Sequence, residues 1–130
     1  MSDSLNSPNC PFCALSLDRL LKENGLACAI NDIYPVTEGH ALVIPKRHTE
    51  NYFSLTREEL LACDELIRDI RNRIETEDST VKGFNIGMNA GVAAGQTVFH
   101  CHIHVIPRRI GDVDDPRGGI RHLIPGKGNY

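Results

Sequence analysis

Apolar residues along this chain fall into short runs separated by glycine, proline and asparagine, with one longer stretch of helical period. In RLLKENGLACAI (19–30) two apolar segments flank Asn24-Gly25, a pair that tolerates positive φ and favours a tight hairpin. Two antiparallel strands are expected there, over 17–22 and 26–31. YPVTEGH (34–40) reads as a loop, and HALVIP (40–45) as a buried strand that Pro45 stops. SLTREELLACDELIRDIRNRIE (54–75) is the clearest element. Thr56 and Glu59 form a capping box, and Leu60, Leu61, Ala62, Leu66, Ile67, Ile70 and Ile74 recur at helical spacing. Such a helix is an amphipathic cover for a sheet.

Further on, GFNIGMN (83–89) alternates as a strand, AGVAAGQT (90–97) is a loop of small residues, and VFHCHIHVIP (98–107) alternates as the last strand. The tail, 108–130, is rich in Gly and Pro and reads as irregular, and residues 1–9 read as a flexible start. Strands, then one long helix, then strands predict a single α+β domain over 1–130. Its antiparallel sheet should have about five strands, with one long helix and short helical turns.

Composition narrows the function classes. With 130 residues the chain can build one real core. A net charge of −3 gives no reason to expect nucleic acid or an anionic membrane as partner. No apolar run approaches the ~20 residues of a membrane span. The polar start MSDSLNSPN lacks the apolar core of a secretory signal. Five cysteines, an odd count, argue against a secreted disulfide framework and for a reducing, cytoplasmic setting.

The chemistry concentrates in HCHIHVIP (100–107). On a strand, His100, His102 and His104 would share one face, with Cys101, Ile103 and Val105 on the other. Same-face neighbours lie about 6.5–7 Å apart, so the outer two histidines are separated by roughly 13–14 Å. Three readings compete: solvated or core histidines, a metal site, and nucleophilic catalysis. Three of only six histidines in strict alternation fit the first poorly. For the second, a third ligand at i+4 would have to bend far to reach the ion that the first two share. The third asks only that the central imidazole attack while its neighbours shape the charge. NAGVAAGQTV (89–98) lies immediately before, and its small residues let backbone N–H groups approach an anion, with Gln96 and Thr97 as further donors.

AGQTVFHCHIHVIPR (94–108) resembles the signature of the histidine triad (HIT) superfamily, His-φ-His-φ-His-φ-φ with φ apolar, and PVTEGHALVIPKRH (35–48) resembles the upstream block of that family. Cys101 stands at the first φ position. The resemblance implies a HIT-like fold that forms a two-fold homodimer. It also implies cleavage at the α-phosphate of nucleotides through a covalent nucleotidyl-histidine. By matching positions, His102 would be the nucleophile and His104 would contact the α-phosphate and the leaving-group oxygen. His40 would join the cluster, Gln96 and Thr97 would bind phosphate, Asp32 with Asn31 would bind ribose, and Asn89 would lie near the phosphates. Attack needs a neutral imidazole nitrogen, with the other ring nitrogen donating to a carbonyl to fix the tautomer. Two-step hydrolysis of this kind requires no cofactor for the chemistry. Relatives that end the triad with Gln are nucleotidyl transferases, so His104 in that place favours hydrolysis.

Cys10-Pro11-Phe12-Cys13 admits a redox motif like that of glutaredoxins, a pair of unrelated buried cysteines, or a zinc site. The redox motif needs a core strand before it, which MSDSLNSPN does not supply. Cys-x2-Cys with two distant histidines makes a closed tetrahedral site. The resemblance implies His48 and His100 as those histidines, with zinc in a structural role. In the tail, Arg117, Arg121, His122 and Lys127 among glycines are either solvated or a basic clamp for extra phosphates; the stretch resembles the tail of HIT dinucleoside polyphosphate hydrolases. The expected function is therefore hydrolysis of dinucleoside polyphosphates such as diadenosine tetraphosphate. The alternatives are hydrolysis of adenosine 5'-phosphoramidates and nucleotide binding without turnover.

Overall fold

The structure, a computed structural model, describes residues 9–130. The start expected to be flexible falls, up to residue 8, outside the described residues. Five strands form one antiparallel sheet: β1 (Leu20–Glu23), β2 (Ala27–Asn31), β3 (Ala41–Pro45), β4 (Val81–Gly87) and β5 (Ile103–Arg109). Their order is β1-β2-β3-β5-β4, so the last strand in sequence lies between β3 and β4. One helix, α1 (Arg57–Glu77), crosses a face of the sheet. The α+β class and the five-stranded sheet agree with the sequence reading.

The helix begins where the capping box placed it. The Thr56 hydroxyl accepts from the Glu59 N–H at 3.1 Å, and the Glu59 carboxylate accepts from the Thr56 N–H at 2.8 Å. Its buried face is Glu59, Cys63, Leu66 and Ile70, whereas Leu60 and Leu61, expected to face the sheet, are exposed. Glu59 is buried because Arg47 pairs with it from β3's exit, Nε and Nη2 each 2.8 Å from a carboxylate oxygen. Leu66 and Ile70 are buried and Ala62, Ile67 and Ile74 pack against the same core, as the helical period predicts, so only Leu60 and Leu61 depart from it. Cys63, Leu66 and Ile70 pack on Ala27, Ala29, Ala41, Val43, Ile103 and Val105, and burial of this apolar surface is the main force holding helix to sheet. The small alanines of β2 and β3 let the helix approach closely.

On the opposite face Cys28, Ile30, Leu42 and Ile44 are covered by Phe12, Leu15 and Leu20 from the N-terminal segment. The hairpin departs from expectation in detail. Neither Asn24 nor Gly25 has positive φ. The Asn24 side chain closes the turn instead, accepting from the N–H groups of Leu26 and Ala27 at 3.1 and 2.9 Å. A short 3-10 turn, Leu17–Arg19, takes the place of the first residues expected in strand 17–22. The last strand also starts late, at Ile103 rather than residue 98, because the Cys101 N–H donates to the Thr49 carbonyl at 2.7 Å and leaves the ladder. The tail carries one 3-10 turn, Gly119–Leu123.

Candidate active site and metal centre

His102 sits just before β5 and His104 within it, both half-buried on the face opposite α1, where β5 pairs His104 with Leu42 of β3 and Gly87 of β4. The rings of His102 and His104 are 5.4 Å apart. The Nδ1–H of His102 donates to the His100 carbonyl at 2.8 Å, which leaves Nε2 with its lone pair outward. This is the tautomer that attack at phosphorus requires.

His40, at the start of β3, is buried, and its Nδ1 accepts from the Val36 N–H at 3.1 Å. Its proton is therefore on Nε2, which lies 2.9 Å from Nδ1 of His104 and 3.4 Å from Oδ2 of Asp32. His104 accepts at Nδ1 and so carries its own proton on Nε2, as a donor for an anion. Burial pushes the pKa of both rings down, with the like-charge effect of His102 and His40 adding to it at His104 and Asp32 opposing it at both. Asp32, His40 and His104 are near enough to suggest a cation site. The Val36 N–H argues against one, because a metal on Nε2 of His40 would require that ring to lose its last proton. The trio is a hydrogen-bonded pair of imidazoles, His40 and His104, with the Asp32 carboxylate beside both.

His100 belongs to a different group. Its ring is fully buried, and Nε2–H donates to the Pro45 carbonyl at 2.8 Å, directing the Nδ1 lone pair at two thiols. Nδ1 lies 3.4 Å from Sγ of Cys10 and 3.5 Å from Sγ of Cys13, and Nδ1 of His48 lies 3.2 Å from Sγ of Cys13. All four ligand atoms fall within 4.8 Å of one another. A tetrahedral zinc with bonds of about 2.3 Å to sulfur and about 2.0–2.1 Å to nitrogen has sulfur–nitrogen edges of roughly 3.5 Å, so the donor set fits. The Pro45 carbonyl is the outer partner that holds a ligating imidazole in one tautomer. The three alternating histidines are thus divided as the resemblance implied: His100 lies with Cys10, Cys13 and His48, whereas His102 and His104 lie on the open side.

The remaining residues of the expected site divide similarly. Gly91 and Gly95, with φ of 98° and 92°, bracket a 3-10 turn, Val92–Ala94, just ahead of the histidines. Gln96 is buried, donates to the carbonyls of Glu50 and Val98 at 2.7 and 3.1 Å, and accepts from the Gly91 N–H at 2.8 Å. Its carboxamide is committed to holding that loop. Thr97 and Asn31 are exposed, and Asp32, expected on ribose, lies against His40 and His104. Asn89 lines a cleft of about 460 Å³ beside His104, with Met88, Ile106, Ile120 and Leu123 among its walls. Arg117 and Arg121 turn elsewhere, stacking over the Tyr130 ring at 5.7 and 5.0 Å. Phe12, which sequence reasoning passed over, packs its ring 4.9 Å from that of His102. Its position between Cys10 and Cys13 was the available signal.

Comparison with known proteins identifies the family. Residues 16–111 match the model of the HIT domain. A HIT-like protein of Mycoplasma pneumoniae is 38% identical over 109 residues, which are 81% of this chain and 75% of that protein. The bis(5'-nucleosyl)-tetraphosphatase [asymmetrical] of Schizosaccharomyces pombe is 39% identical over 104 residues, 80% of this chain and 57% of its own length. Among solved structures, a Zn-bound histidine triad family protein from Mycobacterium smegmatis superposes with a TM-score of 0.73 at 38% identity, covering 80% of this chain and 78% of that one.

Proposed function

The chain belongs to the HIT domain family of nucleotide-binding hydrolases, and from that membership we propose that it cleaves nucleotides at the α-phosphate through a nucleotidyl–His102 intermediate. The observation that carries this is the hydrogen bond from His102 Nδ1–H to the His100 carbonyl, which exposes Nε2 as the nucleophile. Nε2 forms a bond to the α-phosphorus while the bond from phosphorus to the leaving group breaks. The ring, still protonated at Nδ1, then bears positive charge, and the carbonyl stabilises it by a charge-assisted bond. His104 Nε2–H donates to the departing oxygen, held in register by His40. Water attacks the same phosphorus, the phosphorus–nitrogen bond breaks, the proton of water passes to solvent, and His102 is regenerated. Positioned donors of this kind supply most of the assistance a phosphoryl centre needs. An ion held by Cys10, Cys13, His48 and His100 would supply a closed cross-link between the N-terminal segment and the sheet, not a reacting group.

The substrate class we favour is dinucleoside polyphosphates, as for the S. pombe relative, with Arg117 and Arg121 as the basic groups for the extra phosphates. A second reading, hydrolysis of adenosine phosphoramidates, draws support from the cleft beside His104, whose walls carry no Asp, Glu, Lys or Arg. The open edge of β4 supports a homodimer built by strand pairing across a two-fold axis. Among the described residues no helix is long and apolar enough to cross a membrane, and the odd cysteine count supports a cytoplasmic setting.

Acid-free quenching during turnover of diadenosine tetraphosphate, followed by peptide mass analysis, tests the proposal. An AMP adduct on the peptide containing His102, and no other, is expected. Turnover with no adduct, even under rapid quench, would sink the covalent route.

A further inference from the structure

The nucleophile of this site is mounted on the metal centre at two points. One is the hydrogen bond from Nδ1 to the carbonyl of His100, itself a member of the Cys10–Cys13–His48–His100 group. The other is Phe12, the residue between the two cysteines. Its ring lies 4.9 Å from that of His102 at 57°, and 5.9 Å from that of His100 in an edge-on arrangement. Both spacings fall in the range where aromatic rings attract. The backbone around Phe12 is itself fixed, since the N–H groups of Cys13 and Ala14 both donate to the Cys10 carbonyl at 3.2 Å. An imidazole held by one hydrogen bond can still swing about its Cβ–Cγ bond. A neighbouring ring against it removes that freedom, and His104 at 5.4 Å bounds the remaining side.

We propose that Phe12 is a positioning residue for catalysis: the Cys-x2-Cys turn presses its ring against His102 and, with the His100 carbonyl, keeps Nε2 aimed at the α-phosphorus. The proposal rests on His102 being the nucleophile. It gives the Cys-x2-Cys segment a task beyond cross-linking, because the same turn that supplies two ligands delivers the ring.

The test compares Phe12→Leu, which keeps apolar bulk but loses the ring, with Phe12→Tyr, which keeps the ring, using protein as purified. Each is measured for kcat and KM on diadenosine tetraphosphate, for metal content, and by long-range nitrogen–proton NMR correlation of the His102 ring. Misplacing a nucleophile by a fraction of an ångström to an ångström costs roughly ten- to a hundredfold in rate. Phe12→Leu should therefore lose that much in kcat with KM within about twofold, retain its metal, and show His102 no longer confined to the Nδ1–H tautomer. Phe12→Tyr should recover most of kcat and the parent NMR signature. An unchanged kcat in Phe12→Leu overturns the proposal. So does a rise in KM alone, which would put Phe12 on the nucleoside, and so does loss of metal together with rate, which would route the effect through the cluster. If His102 is not the nucleophile, His102→Ala stays active whatever Phe12 does, so the two ideas fail separately.

Discussion

Replacing His102 with alanine should abolish turnover while leaving the fold intact, and both halves can be worked from the structure. The half-buried side chain packs on the open face, so its removal leaves no closed core cavity. What is lost is one hydrogen bond to a carbonyl, about 1 kcal/mol net, and two half-exposed ring contacts, with Phe12 and His104, about 1 kcal/mol together. A loss of about 2 kcal/mol lowers the melting temperature of a domain this size by roughly 5–10 °C, short of unfolding it. The rate behaves differently. Removing a nucleophile costs on the order of four to six powers of ten, or about 5–8 kcal/mol of barrier at 1.36 kcal/mol per tenfold. The measurement is AMP release from diadenosine tetraphosphate by parent and variant, beside thermal melting of both. A variant that melts as expected yet keeps more than about a tenth of the parent rate would show that some other group attacks phosphorus.

Three further outcomes are expected. Elemental analysis of metal-replete protein should give one zinc per chain, and a folded Cys10→Ser/Cys13→Ser protein with unchanged zinc would rule the Cys2His2 site out. Arg117→Ala and Arg121→Ala should each lower kcat/KM for diadenosine tetraphosphate by roughly tenfold or more while sparing an AMP amidate; equal losses on both substrates would assign the arginines, with Tyr130, to holding the tail. The hydrogen bond from Arg47 holds the Glu59 carboxyl below its ordinary value of 4.5, against burial, with the Thr56 N–H helping. A depressed carboxyl stabilises the fold above that ordinary value and loses its contribution as pH falls through the depressed one. Glu59→Gln should therefore cost about 2–3 kcal/mol at neutral pH and much less in acid; a stability gap independent of pH, by denaturant titration, would contradict the pairing.

The parts of this molecule legible in the sequence are those governed by local rules. Asn24-Gly25, the apolar run 40–45 and the two alternating stretches located the strands to within a few residues, Thr56 with Glu59 marked the helix start, and the spacing of His102 and His104 put them on one side of the sheet. What escaped depends on contacts between distant segments. Leu60 and Leu61 satisfy a helical period yet are exposed, whereas the polar Glu59 is buried with Arg47, twelve residues before it, paired to its carboxylate. The late start of ladder pairing at Ile103 follows from Thr49, whose carbonyl takes the Cys101 N–H. That His40 meets His104 was implied only by the resemblance, and Asp32, expected on ribose, lies eight residues before His40 in a stretch of no regular period, so its place beside the two rings left no pattern to read. In the tail, glycines permit many paths, and only packing sends Ile120 and Leu123 into the cleft and the arginines onto Tyr130.

The sheet order has a consequence for how the molecule comes into being on the ribosome. β1, β2 and β3 are consecutive neighbours, and α1 packs on them, so this part can assemble as it emerges. β4 has no partner until β5 arrives, because β5 alone joins it to the rest. The nascent chain therefore presents Cys10, Cys13 and His48 well before His100, and His40 with Asp32 well before His104. Both centres are completed in one late step, when residues 100–109 insert between two waiting edges. That insertion is a long-range closure, the kind of contact that is slow to form. A chain stopped before it would expose the β3 edge and lack His100, His102 and His104 together.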